Sequence, residues 1–334
     1  MLITSRTPLR VSLFGGGTDY PAYFESRPGA VIGMAIDKHI YISALEINAW
    51  QGYNLRLSYS KIEHAVSASE IEHPVVRAIL LDQQIDKRLD LNVIADLPAA
   101  SGLGSSSAFT VGVLNLMAAI HGRSIAKMDL AKGAMRVEQE LLAENVGVQD
   151  QLHTAFGGLN RFDFCGKRFS VSPVSLHSSV AEALNKSLVL IHTGRLRRAT
   201  NVAAAKIENI KNDKSTRDLQ SLYDMVGACQ TMLEEATGPS VIQQLGEMLH
   251  EGWEVKRRLS ASVTDPEIDD LYSRARAAGG IGGKLCGAGG GGFILMVVPP
   301  ERREALSRQL APNAVIPIGM DVQGSSILGG LSVR

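Results

Sequence analysis

Short runs in which apolar and polar residues alternate, rich in Val and Ile, open the chain at Arg10 to Phe14, Ala30 to Ile36 and Ile40 to Leu45, and another follows at Leu89 to Ala95. Period-two alternation bounded by glycine or charged turns predicts strands. The pattern then breaks. Leu97 to Ile120 carries no charge and is long enough to cross a bilayer. Pro98, Gly102, Gly104 and the serines at 105–107 would break or hydrate a spanning helix, so the segment reads as a loop followed by a buried helix from about Ser107. Met128 to Leu142 places Leu130, Met135, Val137, Leu141 and Leu142 at spacings that fit a helix face. Gly158 to Phe164 and Arg168 to Val174 read as two further strands.

Beyond a soft boundary near Ser175 to Ala181 the period lengthens. The strand Ser187 to His192 leads into helical stretches at Asn201 to Lys211, Arg217 to Ala236, Val241 to Leu259 and Pro266 to Ala278. The end returns to strands at Phe293 to Val298 and Ala314 to Ile318, around a charged helix at Glu301 to Leu310. Mixed strands and helices without regular alternation predict α+β domains rather than a doubly wound sheet. The 334 residues divide into two of them, 1–178 and 179–334, at roughly 100 to 200 residues per domain.

Charge narrows the picture by exclusion. Lysine plus arginine number 34 and so do aspartate plus glutamate, so no general field draws the chain to nucleic acid or an anionic membrane, and any anion must be held locally. Cys165, Cys229 and Cys286 have neither CxxC nor zinc spacing, and an odd number suggests reduced thiols. The N-terminus lacks the apolar core and cleavage site of a secretory signal. These features lead to the expectation of a cytoplasmic protein without nucleic-acid or membrane partners; a homodimer stays open.

Three glycine-rich segments carry the chemistry: PLRVSLFGGGTDY from Pro8, LPAASGLGSSSA from Leu97 and KLCGAGGGGF from Lys284. In the middle one a strand ends, glycines let backbone approach a ligand, and serines sit where a helix begins. Free N–H groups and the positive helix end then point at one spot, which suits a polyphosphate. The serine hydroxyls can add phosphate contacts or ligate Mg2+; a plain helix N-cap is the alternative. The P-loop pattern fails because Gly283-Lys284 is followed by Leu285. Gly287, Gly289 and Gly292 satisfy GxGxxG, yet an apolar β-like run follows where a dinucleotide fold needs a helix. Protein-kinase HRD and DFG and the hydrolase GxSxG are absent. Four glycines from Gly289 are costly in backbone entropy, which points to close approach of a ligand or of another strand.

In this order the segments resemble the three signature motifs of the GHMP family, the kinases for galactose, homoserine, mevalonate and phosphomevalonate. Pro98, Gly102, Leu103, Gly104, Ser105 and Ser106 resemble its phosphate-binding loop, and Gly287 to Gly292 its C-terminal glycine motif. The resemblance covers nearly the whole chain. It implies a two-domain α+β GHMP kinase fold, with an N-terminal ribosomal-protein-like βα domain, a C-terminal ferredoxin-like domain and the active site between them. It also implies an ATP-dependent phosphotransferase that uses ATP and Mg2+ on a small sugar or sugar phosphate, with Ser101 and Ser107 joining the loop in holding ATP. Where galactokinases carry Glu-His, Gly16 and Gly17 precede Thr18-Asp19-Tyr20. That GGGTDYP form is similar to bacterial kinases of D-glycero-D-manno-heptose 7-phosphate, with fucokinase-type enzymes as near relatives, and implies transfer to an anomeric hydroxyl.

Phosphoryl transfer needs positioning, charge neutralisation and a group to take the hydroxyl proton. Asp150, between Gln149 and Gln151, matches the family's catalytic aspartate and by resemblance is the general base; a helix N-cap is the alternative. Arg10 matches the cation beside it, against the alternative of an edge-strand surface arginine. Glu138, twelve positions before Asp150, matches the magnesium carboxylate, with Ser106 as the second metal ligand. Glu140 and Glu144 are rivals, and a solvated acidic face is the bland reading. Asp19, with Gly16, Gly17 and Thr18, resembles the sugar-binding loop, and a turn-forming Asp remains open. Gly287, Ala288, Gly289 and Gly290 would complete the acceptor wall. Arg195, Arg197 and Arg198 form a guanidinium cluster suited to a substrate phosphate, or else a solvated helix start. The histidines show no metal-ligand spacing. A non-catalytic sugar sensor and a decarboxylase of the same fold are the rivals from other classes; Arg10, Glu138 and Asp150 argue against the first and the GGGTDYP segment against the second.

Overall fold

Strands β1 (Leu2–Phe14) and β2 (Gly29–Glu46) form the spine of the structure, a computed structural model that describes residues 2–195, 208, 215–260 and 262–331. They pair antiparallel from Leu2 opposite Leu45 to Phe14 opposite Ile32. The charged Asp37-Lys38 step, expected to separate two strands, lies inside β2. The sheet continues past it because the register slips between Pro8 and Arg10, and the Asp37 amide bonds instead to the Gly319 carbonyl, at 2.9 Å. Pro8 brings no N–H to the ladder, and a bulge at such a point re-aims the next side chains. The first residue paired beyond the slip is Arg10, opposite Ala35.

Short connections then add α1 (Pro21–Phe24), β3 (Leu55–Ser58), β4 (Ile62–Ala65), α2 (Pro74–Asp82) and β5 (Leu89–Ala95). Helix α3 (Ser105–Ile120) starts two residues before the expected Ser107 and is buried on almost every side. The stretch expected as one helix over 128–142 divides into α4 (Lys127–Arg136) and a π-helical turn, Val137–Leu141. Helix α5 (Gln149–Phe156) packs on α3, and β6 (Leu159–Cys165) and β7 (Arg168–Pro173) extend the sheet from β2.

A second, antiparallel sheet follows α6 (Ser178–Ser187). It contains β8 (Leu188–His192), β9 (Gly282–Leu285), β10 (Phe293–Val297) and β11 (Val315–Pro317) in the order β11-β8-β10-β9. Helices α7 (Thr216–Glu235), α8 (Val241–Arg258), α9 (Pro266–Ala277) and α10 (Arg303–Leu310) accompany it. Period-two alternation sorts its side chains. Leu188, Leu190, Leu295 and Val297 join the core shared with the first sheet, while Val189, Ile191, Ile294 and Met296 pack with Leu271 of α9 and Leu306 of α10. The helix expected at 201–211 lies, apart from residue 208, outside the described residues.

Strand β12 (Ser326–Leu331) returns to the first sheet and pairs with β1. The order there is β12-β1-β2-β5-β3-β4, with β6 and β7 attached to β2. We retain 1–178 and 179–334 as proposed domains, with the last strand lent back to the first sheet. Among the described residues no helix is long and apolar enough to cross a membrane.

Candidate active site

The re-aimed Arg10 is almost fully buried, and its side chain joins two parts of the site. Nε donates to Asp150 Oδ1 at 2.8 Å and Nη2 to Oδ2 at 2.7 Å, while Nη1 donates to the Gly102 carbonyl at 2.7 Å. The backbone N–H of Arg10 donates to the Leu103 carbonyl at 3.0 Å. One residue thus ties β1, the glycine-serine loop and the carboxylate together, which removes the surface-arginine reading. Asp150 sits in the first turn of α5 without capping it, and its side chain is 27% exposed against 4% for Arg10.

The loop before α3 faces this pair. Gly104 caps the helix at φ 74°, where a Cβ would stand 3.1 Å from Arg10 Cγ and 3.4 Å from Asp150 Oδ2. No side chain caps α3, so the N–H groups of its first turn and its positive end are available to a ligand. Ser105, Ser106 and Ser107 line the adjoining cleft.

Glu138 lies in the π-helical turn, a rare geometry frequent at functional sites. It is fully buried behind Ser107: Oε2 accepts from Ser107 Oγ at 3.0 Å and Gln151 Nε2 at 2.5 Å, and Oε1 has no hydrogen-bond partner among the described residues. Burial pushes its pKa up to about 7 against the pull of these hydrogen bonds. Glu140 is exposed, so the solvated-face reading fits Glu140 and fails for Glu138. An orphaned carboxylate oxygen beside serine hydroxyls is a hard-oxygen donor set, which fits Mg2+. No group of three or more His, Cys, Asp or Glu gathers for a metal among the described residues. Such an ion would therefore draw its other ligands from phosphate and water, as Mg2+ commonly does.

On the other side, the Asp19 carboxylate accepts from the Gly17 amide at 2.7 Å and from Gln149 Nε2 at 2.9 Å. It forms a turn and also reaches the helix of Asp150, so the two readings coexist. A side chain at Gly147 would overlap Asp19 Oδ2. Thr18 is fully buried, its hydroxyl within reach of the Gly15 and Ala30 carbonyls at 2.9 and 2.8 Å; it fixes the loop and leaves the contact surface to Asp19.

The glycines answer the question of what approaches them. A Cβ on Gly102 would lie 2.8 Å from the Cys286 carbonyl oxygen, one on Gly292 would overlap the Ser101 carbonyl, and one on Gly289 would lie 2.7 Å from Val263 Cα. At Gly102 and Gly292 backbone meets backbone where the loops of the two sheets touch.

These elements enclose a cleft of about 590 Å³. Of the sequence-derived residues, Arg10, Gly16, Asp19, Gly102, Gly104, Ser105, Ser106, Ser107, Asp150, Gly287 and Ala288 line it. Pro98, Ser101, Leu103, Gly17, Thr18, Gly289, Gly290 and Glu138 do not line it, and Pro98 is exposed at the surface. Arg195 is held by Asp265, at 2.8 Å, and by Glu267, away from the cleft wall; Arg197 and Arg198 lie outside the described residues. Sequence reasoning missed Ser12, Tyr20, Gln149, Lys256 and Lys284, all of which line the cleft. For Lys256 a signal existed: it continues the buried stripe Leu245, Leu249, Gly252, Trp253 of α8, where a lysine is out of place.

The family descriptions GHMP kinases N terminal domain and GHMP kinases C terminal match residues 73–158 and 232–315. Among curated proteins, the D-glycero-alpha-D-manno-heptose 7-phosphate kinase of Campylobacter jejuni is 28% identical over 298 residues, 86% of each chain. Among solved structures, a D-glycero-D-manno-heptose 1-phosphate kinase from Bacteriodes thetaiotaomicron matches at TM-score 0.80 and 23% identity, over 99% of this chain and 100% of that one. Lactococcus lactis galactokinase complexed with galactose matches at TM-score 0.74 and 18% identity, over 97% and 95%. The overall fold is the two-domain α+β fold of these kinases.

Proposed function

Since the chain belongs to the GHMP kinase family, whose members are ATP-dependent phosphotransferases, we propose that it moves the γ-phosphoryl group of ATP onto the anomeric hydroxyl of D-glycero-D-manno-heptose 7-phosphate. The product would be heptose 1,7-bisphosphate, made in the cytoplasm for nucleotide-activated heptose and surface polysaccharide. The name of the curated relative, a heptose 7-phosphate kinase, supports such an acceptor.

The observation that carries the reading is the Asp150 carboxylate, gripped on both oxygens by Arg10 between an uncapped helix N-terminus and the Asp19 loop. Asp150 takes the proton of the attacking hydroxyl. Arg10 fixes its orientation and sets a positive charge beside the transferred group. The amides of the first turn of α3 and the hydroxyls of Ser105 and Ser106 hold the polyphosphate of ATP, and Asp19 accepts hydrogen bonds from sugar hydroxyls. Ser106 and Glu138 would hold Mg2+, which neutralises charge on the phosphate oxygens when bound.

An unphosphorylated acceptor is the second reading. It is favoured by the pairing of Arg195 with Asp265 and Glu267, which occupies one of the arginines expected at the acceptor's phosphate. A coupled ADP-release assay over free and 7-phosphorylated hexoses and heptoses separates the two: the first reading expects the highest kcat/KM on heptose 7-phosphate, and a higher value on any free sugar would overturn it.

A further inference from the structure

Beyond the π-helical turn the chain enters the left-handed region at Ala143, with φ 52°. A residue with a Cβ holds that conformation only where its surroundings impose it, and such strain gathers at functional sites. Hydrogen bonds along the segment impose it here. The Glu144 amide donates to the Glu138 carbonyl at 2.8 Å, the Val146 amide to the Glu144 carbonyl at 3.1 Å and the Val148 amide to the Asp19 carbonyl at 3.0 Å. Gln139 Nε2 donates to the Val146 carbonyl at 2.9 Å. The segment is pinned to the π-helical turn at one end and to the Asp19 loop at the other.

Residues 143–147 all line the cleft, and Glu144 is the carboxylate they bring to it. Its backbone is held on both sides, while its side chain is half-buried. Burial raises its pKa, and no cation or hydrogen bond among the described residues offsets that shift. An ionised carboxylate only accepts hydrogen bonds, and it repels the phosphates that the first turn of α3 would hold. In a cleft for ATP and a sugar, the donors that remain are neutral hydroxyl groups. The contacts with Asp19 favour those of the acceptor over those of the ribose: the Val148 amide holds the Asp19 carbonyl, and Gly147 lies so close that a side chain there would overlap Asp19 Oδ2. We propose that Glu144 accepts hydrogen bonds from acceptor hydroxyls other than the one phosphorylated, which makes it a specificity-determining residue for a polyhydroxylated sugar. The proposal rests on the kinase reading above and holds for a free or a phosphorylated sugar; its negative charge directs any phosphate on the acceptor to another part of the cleft.

The experiment compares wild type, Glu144→Ala and Glu144→Gln on heptose 7-phosphate and on analogues that each lack one hydroxyl besides the anomeric one, with ATP and its 2′- and 3′-deoxy forms as a separate series. Removing the hydroxyl that Glu144 reads should cost wild type about tenfold to a hundredfold in kcat/KM, the scale of one charge-assisted hydrogen bond. In Glu144→Ala that penalty should nearly vanish while the penalties at other hydroxyls persist, which is the signature of two groups in contact. Glu144→Gln keeps one acceptor oxygen and should keep part of the discrimination. The same penalties in wild type and Glu144→Ala would overturn the proposal. So would a discrimination lost only against the deoxy forms of ATP, which assigns Glu144 to the ribose, or a raised Mg2+ requirement shared by all acceptors, which assigns it to the metal. Neither variant should melt below wild type; a clear fall in both would show that the carboxylate holds its own segment and would also overturn it. If wild type phosphorylates a free sugar and leaves heptose 7-phosphate untouched, the acceptor proposed above is wrong, and the same deoxy series built on that sugar decides Glu144.

Discussion

Arg10 and Asp150, 140 positions apart in sequence, meet as a two-point ion pair with distances of 2.8 and 2.7 Å. The geometry ties the orientation of the carboxylate to the bulge in β1 and to the loop before α3. We expect Asp150→Asn to lower kcat by about two to four orders of magnitude with ATP affinity nearly intact. Arg10→Lys keeps the charge but loses the fork, and should cost roughly tenfold to a hundredfold in kcat. Steady-state kinetics with a nucleotide-binding titration check both, and near-wild-type turnover in a folded Asp150→Asn variant would remove the base.

Glu138 couples stability to pH. Its folded pKa is raised to about 7 from 4.5, so the folded chain holds a proton that the unfolded chain releases between these values. The stability this contributes is complete below the unfolded value and is lost as pH rises through about 7. Without Mg2+, Glu138→Gln should flatten this decline and at about pH 8 gain on the order of 1 to 3 kcal/mol over wild type. The same variant should need more Mg2+ for activity. Superimposable magnesium titrations would pass the metal role to Glu144, which lines the cleft.

His153 sets the opposite limb. It is fully buried, bonded through Nδ1 to the Gln149 carbonyl at 2.8 Å, with Nε2 unpartnered among the described residues. Burial lowers its pKa to about 4 from 6.5. Its contribution is therefore complete above the unfolded value and is lost as pH falls through about 4. Denaturant unfolding across that window should show stability falling with acid, less steeply in His153→Gln; identical slopes would contradict this.

The glycine motif predicts a contrast between two substitutions at left-handed positions. Gly52→Ala, at φ 75° with none of the described residues within 4 Å of its Cβ, should cost about 1 kcal/mol of backbone strain. Gly292→Ala, at φ 96° and overlapping the Ser101 carbonyl, should cost about 2 kcal/mol or more and also raise KM for ATP by displacing the phosphate loop. Equal costs in thermal melting would mean that the two loops do not rely on this contact.

The glycine-serine loop and the helices α7 to α9 were legible because turn chemistry and the helical period are local properties. Strands β3 and β4 are four residues each, too short for a period to register, and β12 carries Gly329 and Gly330, which weaken a strand signal. The inward turn of Glu138 depends on a π-helical turn that a regular helix pattern hides. Lys284 was missed because its carbonyl partner on β1 is set only by tertiary packing, whereas Lys256 left its one local trace in the buried stripe of α8. The Arg10–Asp150 contact had no signal in spacing at all, and its expectation came from motif resemblance.

The position of the new phosphate tests the central claim most directly. Heptose 7-phosphate incubated with ATP, Mg2+ and the protein should release ADP in equal amount to product, and phosphorus NMR should show a second phosphate coupled to the anomeric proton with the 7-phosphate retained. ADP release without an anomeric phosphate signal, or no turnover of heptose 7-phosphate while a free sugar is phosphorylated, would contradict the account.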